Sequence, residues 1–340
     1  MKRLEFAVSS AAAVAAVASP ARIAAAQSPN PAFRFRSGFW QNLHHALYYQ
    51  AQVLQTVYGA GAERLAPIDR AAYRDFVTAT GLGDDLWYRA VTIYQERYAS
   101  MSFVFDDTLA NADNAVSGDE AQPLSQSVPA PMREALRIAA PVYRDALWKT
   151  HAASNRAFIE GLNELLTRYG NELSVRLPRI YATPWLAQPY IVDVVQYAQW
   201  NGSYSNDATD FVHIVMSAQD PWERGMGALD ILFHEASHAV ADPEKGTIGG
   251  PITAAAARLN RPVPNQFWHA VIMYAPGKIV EELAAASGKK YTMVWMQPGL
   301  FGESWPRYYS ALQTHFEPYM RGVGTLDSAL AACVKQIVTI

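Results

Sequence analysis

The spacing of hydrophobic residues changes twice along the 340-residue chain, and this limits the folds open to it. From Phe39 to about Gly170, apolar residues recur at the spacing of amphipathic helices. Between residues 173 and 217, short runs rich in Val, Ile and Tyr favour two or three β-strands. From Pro221 onward, the spacing predicts four or five more helices. The chain is therefore expected to adopt an α+β, predominantly helical fold, with a small sheet between two helical regions.

The boundaries expected from this pattern are specific. The predicted strands are 173–181, 190–200 and 210–217, bounded by prolines and by the turn-forming pair Asn201-Gly202. Residues 28–38 are predicted to be a short lead-in segment, and residues 113–131, rich in Asn, Ser, Gly and Pro, a loop. The chain is accordingly divided into a helical N-terminal region, 27–172, and a second region, 173–340.

Composition excludes several classes of protein. Hydrophobic residues make up 50% of the chain and charged residues 17%, so intrinsic disorder is excluded. The single cysteine, Cys333, excludes an intrachain disulfide framework. The net charge is −3, without a basic stripe, and therefore no nucleic-acid partner is expected. Stability must come from burial of the apolar side chains.

The first 26 residues have the pattern of a secretory leader. Lys2 and Arg3 precede an apolar, Ala-rich run from Ala7 to Ser19. That run has 13 residues, whereas a membrane span needs roughly 20, so no membrane anchor is expected. Ala24-Ala25-Ala26 supplies the small residues of a cleavage site, which predicts a mature chain that begins at Gln27. The protein is therefore expected to be exported, either to a periplasm or outside the cell.

The pattern that most indicates chemistry is His234-Glu235-Ala236-Ser237-His238. On a helix, residues four apart lie about 40° apart, so the two imidazoles project side by side and can bind one zinc ion. Glu235 lies at the rim of that face, where its carboxylate can reach a zinc-bound water rather than the metal. Leu229, Leu232, Phe233, Ala236 and Val240 fall on the opposite side, which predicts an apolar back for this helix.

The five-residue motif resembles the metal-binding helix of the zincin metallopeptidases. In that group the two histidines bind zinc and the glutamate acts as general base and proton shuttle. A small sheet precedes the helix, and its edge strand binds the peptide substrate. The resemblance implies that residues 210–217 are that edge strand, and it extends over about residues 185–290. No family resembles residues 28–170.

Three arrangements could supply the third zinc ligand, and each places it at a different point of the sequence. The metzincin position, Glu244, is rejected because Ala241 stands where that subgroup has a glycine. Glu281 and Glu282 match the gluzincin arrangement, although no Asp follows them. His269 lies in an apolar, aromatic stretch where a buried imidazole needs a partner, and zinc would be one. His269 is preferred, with Glu281 or Glu282 as the alternative.

Other polar residues near the motif have less defined roles. Asp230, one turn before His234, could orient an imidazole or lie at the surface. Tyr274 is a candidate donor to the oxyanion. His213 is interpreted as structural. His44 and His45 are adjacent on a helix, so their side chains diverge and cannot easily share a metal.

Together these features predict an exported zinc-dependent hydrolase, most plausibly a peptidase acting on a peptide or protein substrate. Glu235 would be its general base, and His234, His238 and His269 its zinc ligands. Two alternatives stay open at this stage. One is a secreted helical binding protein with a structural zinc site, and the other is a zinc amidase acting on a non-peptide amide.

Overall fold

The computed structural model describes residues 27–28, 31–60, 65–81, 85–116, 119–199, 202–207, 211–296 and 300–339. The predicted leader, residues 1–26, lies outside the described residues. None of the described helices combines the length and the apolar character that a membrane span requires.

The chain is predominantly helical with one small sheet, which confirms the predicted α+β class. The N-terminal helices are α1 Phe39–Ala60, α2 Pro67–Thr80, α3 Asp85–Arg97, α4 Asp107–Ala115, α5 Ala130–Tyr143, α6 Lys149–Leu165 and α7 Asn171–Tyr181. The C-terminal helices are α8 Met226–His238, α9 Gly246–Arg258, α10 Phe267–Ala286, α11 Pro306–Ala311, α12 Glu317–Met320 and α13 Leu326–Thr339. Single π-helical turns join α5 to α6, α6 to α7 and α11 to α12.

The strands are β1 Gln27–Ser28, β2 Phe33–Arg36, β3 Trp185–Leu186, β4 Tyr190–Val195, β5 Tyr204–Asp207 and β6 Val212–Ser217. Four of them form a sheet in the order β2-β4-β6-β5. Strands β2, β4 and β6 are parallel, and β5 runs antiparallel to β6 at one edge. β1 and β3 form a separate antiparallel pair.

The strand predicted over residues 173–181 is wrong, because this segment is helix α7. Leu173, Leu177 and Tyr181 follow one another at intervals of four and are all fully buried, which is helical spacing. The helix stops where Ala182 adopts a left-handed conformation, with φ of 50°. The predicted boundary between the N-terminal region, 27–172, and the second region, 173–340, therefore falls inside α7.

Two further expectations about the sheet are corrected. Residues 33–36, predicted as part of the lead-in, form β2, and their alternation of Phe and Arg is the period-two pattern of a strand. The segment expected to be the edge strand, 210–217, contains β6, which has β4 on one side and β5 on the other. The edge strands are therefore β2 and β5, and β6 has no free edge to offer a substrate.

The sheet lies between two hydrophobic cores. Tyr190, Val192 and Val194 of β4 alternate toward the core that contains α8 and α10. Val195 and Val215 face the core formed by the N-terminal helices. The helices before and after the sheet thus cover its two faces, and α8 lies against one of them.

A buried ionic network joins the N-terminal helices to the sheet. Asp193 of β4 accepts hydrogen bonds from Arg36 at 2.7 Å and from His213 at 2.8 Å. On α4, Asp113 lies 3.5 Å from His213 and accepts a hydrogen bond from His45 at 3.1 Å. His213 therefore belongs to this network, as expected for a structural residue.

The network predicts a pH-dependent contribution to stability. Burial disfavours the charged imidazole of His213, but the hydrogen bond to Asp193 and the charge of Asp113 outweigh this and raise its pKa. The stabilisation from protonated His213 is complete below its ordinary pKa of about 6.5 and is lost as the pH rises through the raised value. We expect Asp193→Asn to lower the free energy of unfolding by about 1–3 kcal/mol near pH 6 and by less at pH 9. Urea denaturation at the two pH values measures this.

The exposed carboxylate of Asp119 provides the matched control. Asp119→Asn should change the free energy of unfolding little at either pH. If Asp193→Asn lowered the free energy of unfolding more at pH 9 than at pH 6, the stabilising role of protonated His213 would be contradicted.

Candidate metal centre

Helix α8 carries the motif histidines in the interior of the molecule. A tight turn precedes it, in which Gly225 has a positive φ of 55°. At Gly227 a Cβ atom would come within 2.2 Å of the carbonyl oxygen of Trp222, so only glycine fits there. The predicted apolar back is buried, and α10 packs across the polar front, where only His238 of the motif stays partly exposed. His234 and Glu235 are therefore enclosed by protein.

The structure brings His234, His238 and His269 together into a group that could hold a metal ion. The Nε2 atom of His234 lies 3.3 Å from Nε2 of His238 and 3.3 Å from Nε2 of His269. Two ligands of a tetrahedral zinc ion, each about 2.0–2.1 Å from the metal, are separated by about 3.3–3.4 Å. Both spacings therefore fit two edges of a zinc coordination tetrahedron.

The orientation of His234 is set by a backbone carbonyl of α10. Its Nδ1 lies 3.2 Å from the carbonyl oxygen of Ile272. Because a carbonyl only accepts hydrogen bonds, Nδ1 carries the proton in this contact. Nε2 is left with a lone pair directed at the other two imidazoles, which is the tautomer that a metal needs.

The electrostatics of the group favour neutral imidazoles. Burial, together with the neighbouring His238 and His269, lowers the pKa of His234 well below its ordinary value. Burial also lowers the pKa of His238 to about 4 and that of His269 well below the usual range. Near pH 7 all three rings are uncharged, which is the form that coordinates metals. Three neutral ligands would leave the full charge of a divalent cation uncompensated.

Glu235 borders the imidazoles without joining them. Its carboxylate oxygens lie 3.7 Å from Nε2 of His234 and 3.9 Å from Nε2 of His238. Burial raises the pKa of Glu235 to about 8, and a side-chain hydrogen bond with Ser205 on edge strand β5 offsets part of this rise. A carboxylate beyond hydrogen-bonding distance of the ligand atoms, with a pKa near neutrality, is suited to proton transfer.

The alternative ligands Glu281 and Glu282 lie elsewhere on α10. Glu281 accepts a hydrogen bond from the backbone N–H of Met293 at 3.0 Å. Glu282 is paired with Arg176 of α7 at 2.6 Å. Both are more than ten residues along the helix from His269, which separates them from the imidazoles by roughly 18 Å. The structure therefore brings His269, and neither glutamate, to the motif histidines.

Two other predicted site residues have different partners. The hydroxyl of Tyr274 donates its hydrogen bond to Glu317 at 2.6 Å and bonds to none of the three histidines. Asp230 is fully buried, and its carboxylate accepts hydrogen bonds from the Tyr291 hydroxyl at 2.8 Å and the Val294 N–H at 3.1 Å. It anchors the segment beside the site and bonds to no imidazole.

Sequence reasoning did not identify three indole rings that pack on the imidazoles. Trp295 lies 4.7 Å from the ring of His234, Trp268 lies 5.6 Å from that of His238, and Trp305 lies 6.3 Å from that of His269. The Nε1 atom of Trp295 is buried and has no hydrogen-bond partner among the described residues. Of the three indoles, only that of Trp268 could have been identified from the sequence, because Trp268 is next to the candidate ligand His269.

Comparisons of the chain with protein families, with curated proteins and with solved structures found no match.

Proposed function

We propose that this protein is a zinc-dependent hydrolase that cleaves amide bonds, most plausibly in peptides. The observation that carries the proposal is a group of three imidazoles, two of whose Nε2–Nε2 distances fit edges of a zinc tetrahedron, beside a buried carboxylate that is not among the metal-binding atoms. Catalytic zinc sites typically have three protein ligands and an open fourth position. The leader-like N-terminal sequence supports the further proposal that the enzyme works after export.

The proposed chemistry divides between the metal and the chain. A zinc ion held by His234, His238 and His269 would supply a Lewis acid that acidifies water and polarises a carbonyl group. Glu235 accepts a proton at its carboxylate as the oxygen of water adds to the carbonyl carbon. When the C–N bond breaks, Glu235 returns that proton to the leaving nitrogen.

A structural zinc site is less well supported. Such sites are closed by four protein ligands. Among the described residues, the group that could hold a metal contains three histidines and no fourth ligand. A hydrolase acting on a non-peptide amide shares the same proposed chemistry and differs only in the substrate.

Removal and return of zinc test the proposal. We expect the purified chain to contain about one zinc ion, to lose hydrolysis of a mixed peptide library after chelation, and to regain it with one equivalent of zinc. A set of small aryl amides, assayed in parallel, distinguishes a peptidase from an amidase of other amides. His315→Ala, which changes a partly buried histidine outside the group, should behave like the wild type. Full activity in the zinc-free chain, or none in the zinc-loaded chain, would contradict the proposal.

A further inference from the structure

The three imidazoles are accessible from one side. The side chain of His234 is 2% exposed and that of Glu235 is 5% exposed. In contrast, the side chain of His238 is 27% exposed. His269 is also partly exposed, so a molecule that reaches a metal held by the three histidines approaches past His238 and His269.

Indole rings flank this approach. Trp268 packs edge to face on His238 at 5.6 Å and stacks beside His269 at 5.2 Å. Trp305 lies 6.3 Å from His269. Both indoles are only partly buried, so part of each side chain stays in contact with solvent beside the imidazoles. Trp295, which is also partly buried, lies with its ring 4.7 Å from that of His234.

The charged groups near the imidazoles are few. Among the described residues, Glu235 is the one carboxylate within 4.0 Å of an imidazole nitrogen of the group, and it is assigned to proton transfer. A charged substituent placed against the faces of the indoles would lose hydration there. An aromatic ring placed there would bury apolar surface and gain ring-to-ring contact.

We infer that the site selects uncharged substrates that carry an aromatic group next to the scissile carbonyl, and that Trp268 and Trp305 are the residues that determine this specificity. The inference rests on the proposed function, because it assumes an open metal position beside His238. The three histidines and Glu235 do not by themselves determine which substrates bind, whereas the two indoles would.

Three hydroxamates, each of which binds zinc through the same group, test this in the full-length zinc-loaded chain. Acetohydroxamate presents the metal-binding group alone, phenylacetohydroxamate adds a phenyl ring, and the monohydroxamate of succinate adds a carboxylate. We expect calorimetry to give a Kd at least about tenfold lower for the phenyl compound than for acetohydroxamate. The succinate compound should bind no more tightly than acetohydroxamate, and the phenyl compound should also quench tryptophan fluorescence.

Substitutions assign the effect to the indoles. In Trp268→Leu and Trp305→Leu the ratio of the acetohydroxamate Kd to the phenylacetohydroxamate Kd should shrink to about threefold or less. Trp148, which is also partly buried but packs on Phe39 and Tyr143 in the N-terminal region, provides the matched control. Trp148→Leu should keep the full ratio.

The outcomes separate the two proposals. If acetohydroxamate fails to bind the zinc-loaded chain, the open metal position and the proposed function fall, and the specificity inference falls with them. If acetohydroxamate binds but the phenyl ring adds nothing, or if a fourth probe bearing a trimethylammonium group binds more tightly than the phenyl compound, only the specificity inference is overturned. The wild-type comparison involves no substitution, so it decides the inference even where a Leu variant loses its zinc.

Discussion

Replacement of Glu235 by Gln is expected to lower the rate of amide hydrolysis by about 10²–10⁴, the range that general acid–base assistance typically contributes. The substitution preserves the shape of the side chain and its capacity to hydrogen-bond with Ser205, but it removes the group that accepts the proton. Because Glu235 lies 3.7 Å and 3.9 Å from the nearest imidazole nitrogens, it is not among the atoms that would hold the metal. Zinc content, measured by mass spectrometry of the metal, should therefore equal that of the wild type.

The matched control for this substitution is Glu244→Gln. Glu244 is exposed on the turn after α8 and is the residue at the rejected metzincin position. Glu244→Gln should leave both the activity and the zinc content unchanged. Loss of zinc from Glu235→Gln would identify Glu235 as a ligand or a support for one. Wild-type activity with zinc retained would remove the general-base role.

Replacement of His269 by Ala is expected to lower zinc affinity by more than about 100-fold. Substitution of groups that merely support a metal ligand already costs about 10–100-fold, and removal of a ligand costs more. Zinc that binds only the folded chain also raises its melting temperature, so the zinc-dependent rise in melting temperature should disappear in His269→Ala. Equilibrium titration with a competing chelator and thermal unfolding with and without zinc measure the two effects.

Glu281→Gln and Glu282→Gln are the internal controls for this prediction, since both residues lie on the same helix as His269. Their carboxylates bond to Met293 and Arg176, so their removal should leave zinc affinity within a few-fold of the wild type. Strong zinc binding by His269→Ala, or loss of zinc from either glutamate variant, would reassign the third ligand to another part of α10.

Local pattern was sufficient to predict α8 and the arrangement of its two histidines. The spacing of four residues places His234 and His238 on one face of any helix that includes them, whatever surrounds it. The apolar residues on the opposite face likewise predicted the buried back of α8. In contrast, residues 173–181 contain too few β-branched side chains to distinguish a strand from a helix, and the prediction there was wrong.

The order of the strands was not available from local pattern. Strand β5 turns back antiparallel to β6, while β2, from the beginning of the described chain, pairs with β4 about 157 residues later. A strand whose two faces are both buried, such as β6, is a nearly continuous run of buried residues, and such a run does not show whether the strand lies at the edge of a sheet or inside it. The sequence therefore could not distinguish β6 as an internal strand from an edge strand.

By itself, the sequence determined the class of fold, the helix that carries the motif, and the two imidazoles that a metal requires on one face. The tertiary structure decided that His269 joins them, that Glu281, Glu282, Tyr274 and Asp230 have other partners, and that three indoles surround the group. The reason is physical. The distance between His234 and His238 is set by one turn of a helix, whereas the distance from His234 to His269 depends on how α10 crosses α8. That crossing depends on close packing at positions such as Gly277, where a Cβ atom would come within 3.2 Å of the Asp230 carboxylate on α8, and such packing has no signature in local sequence.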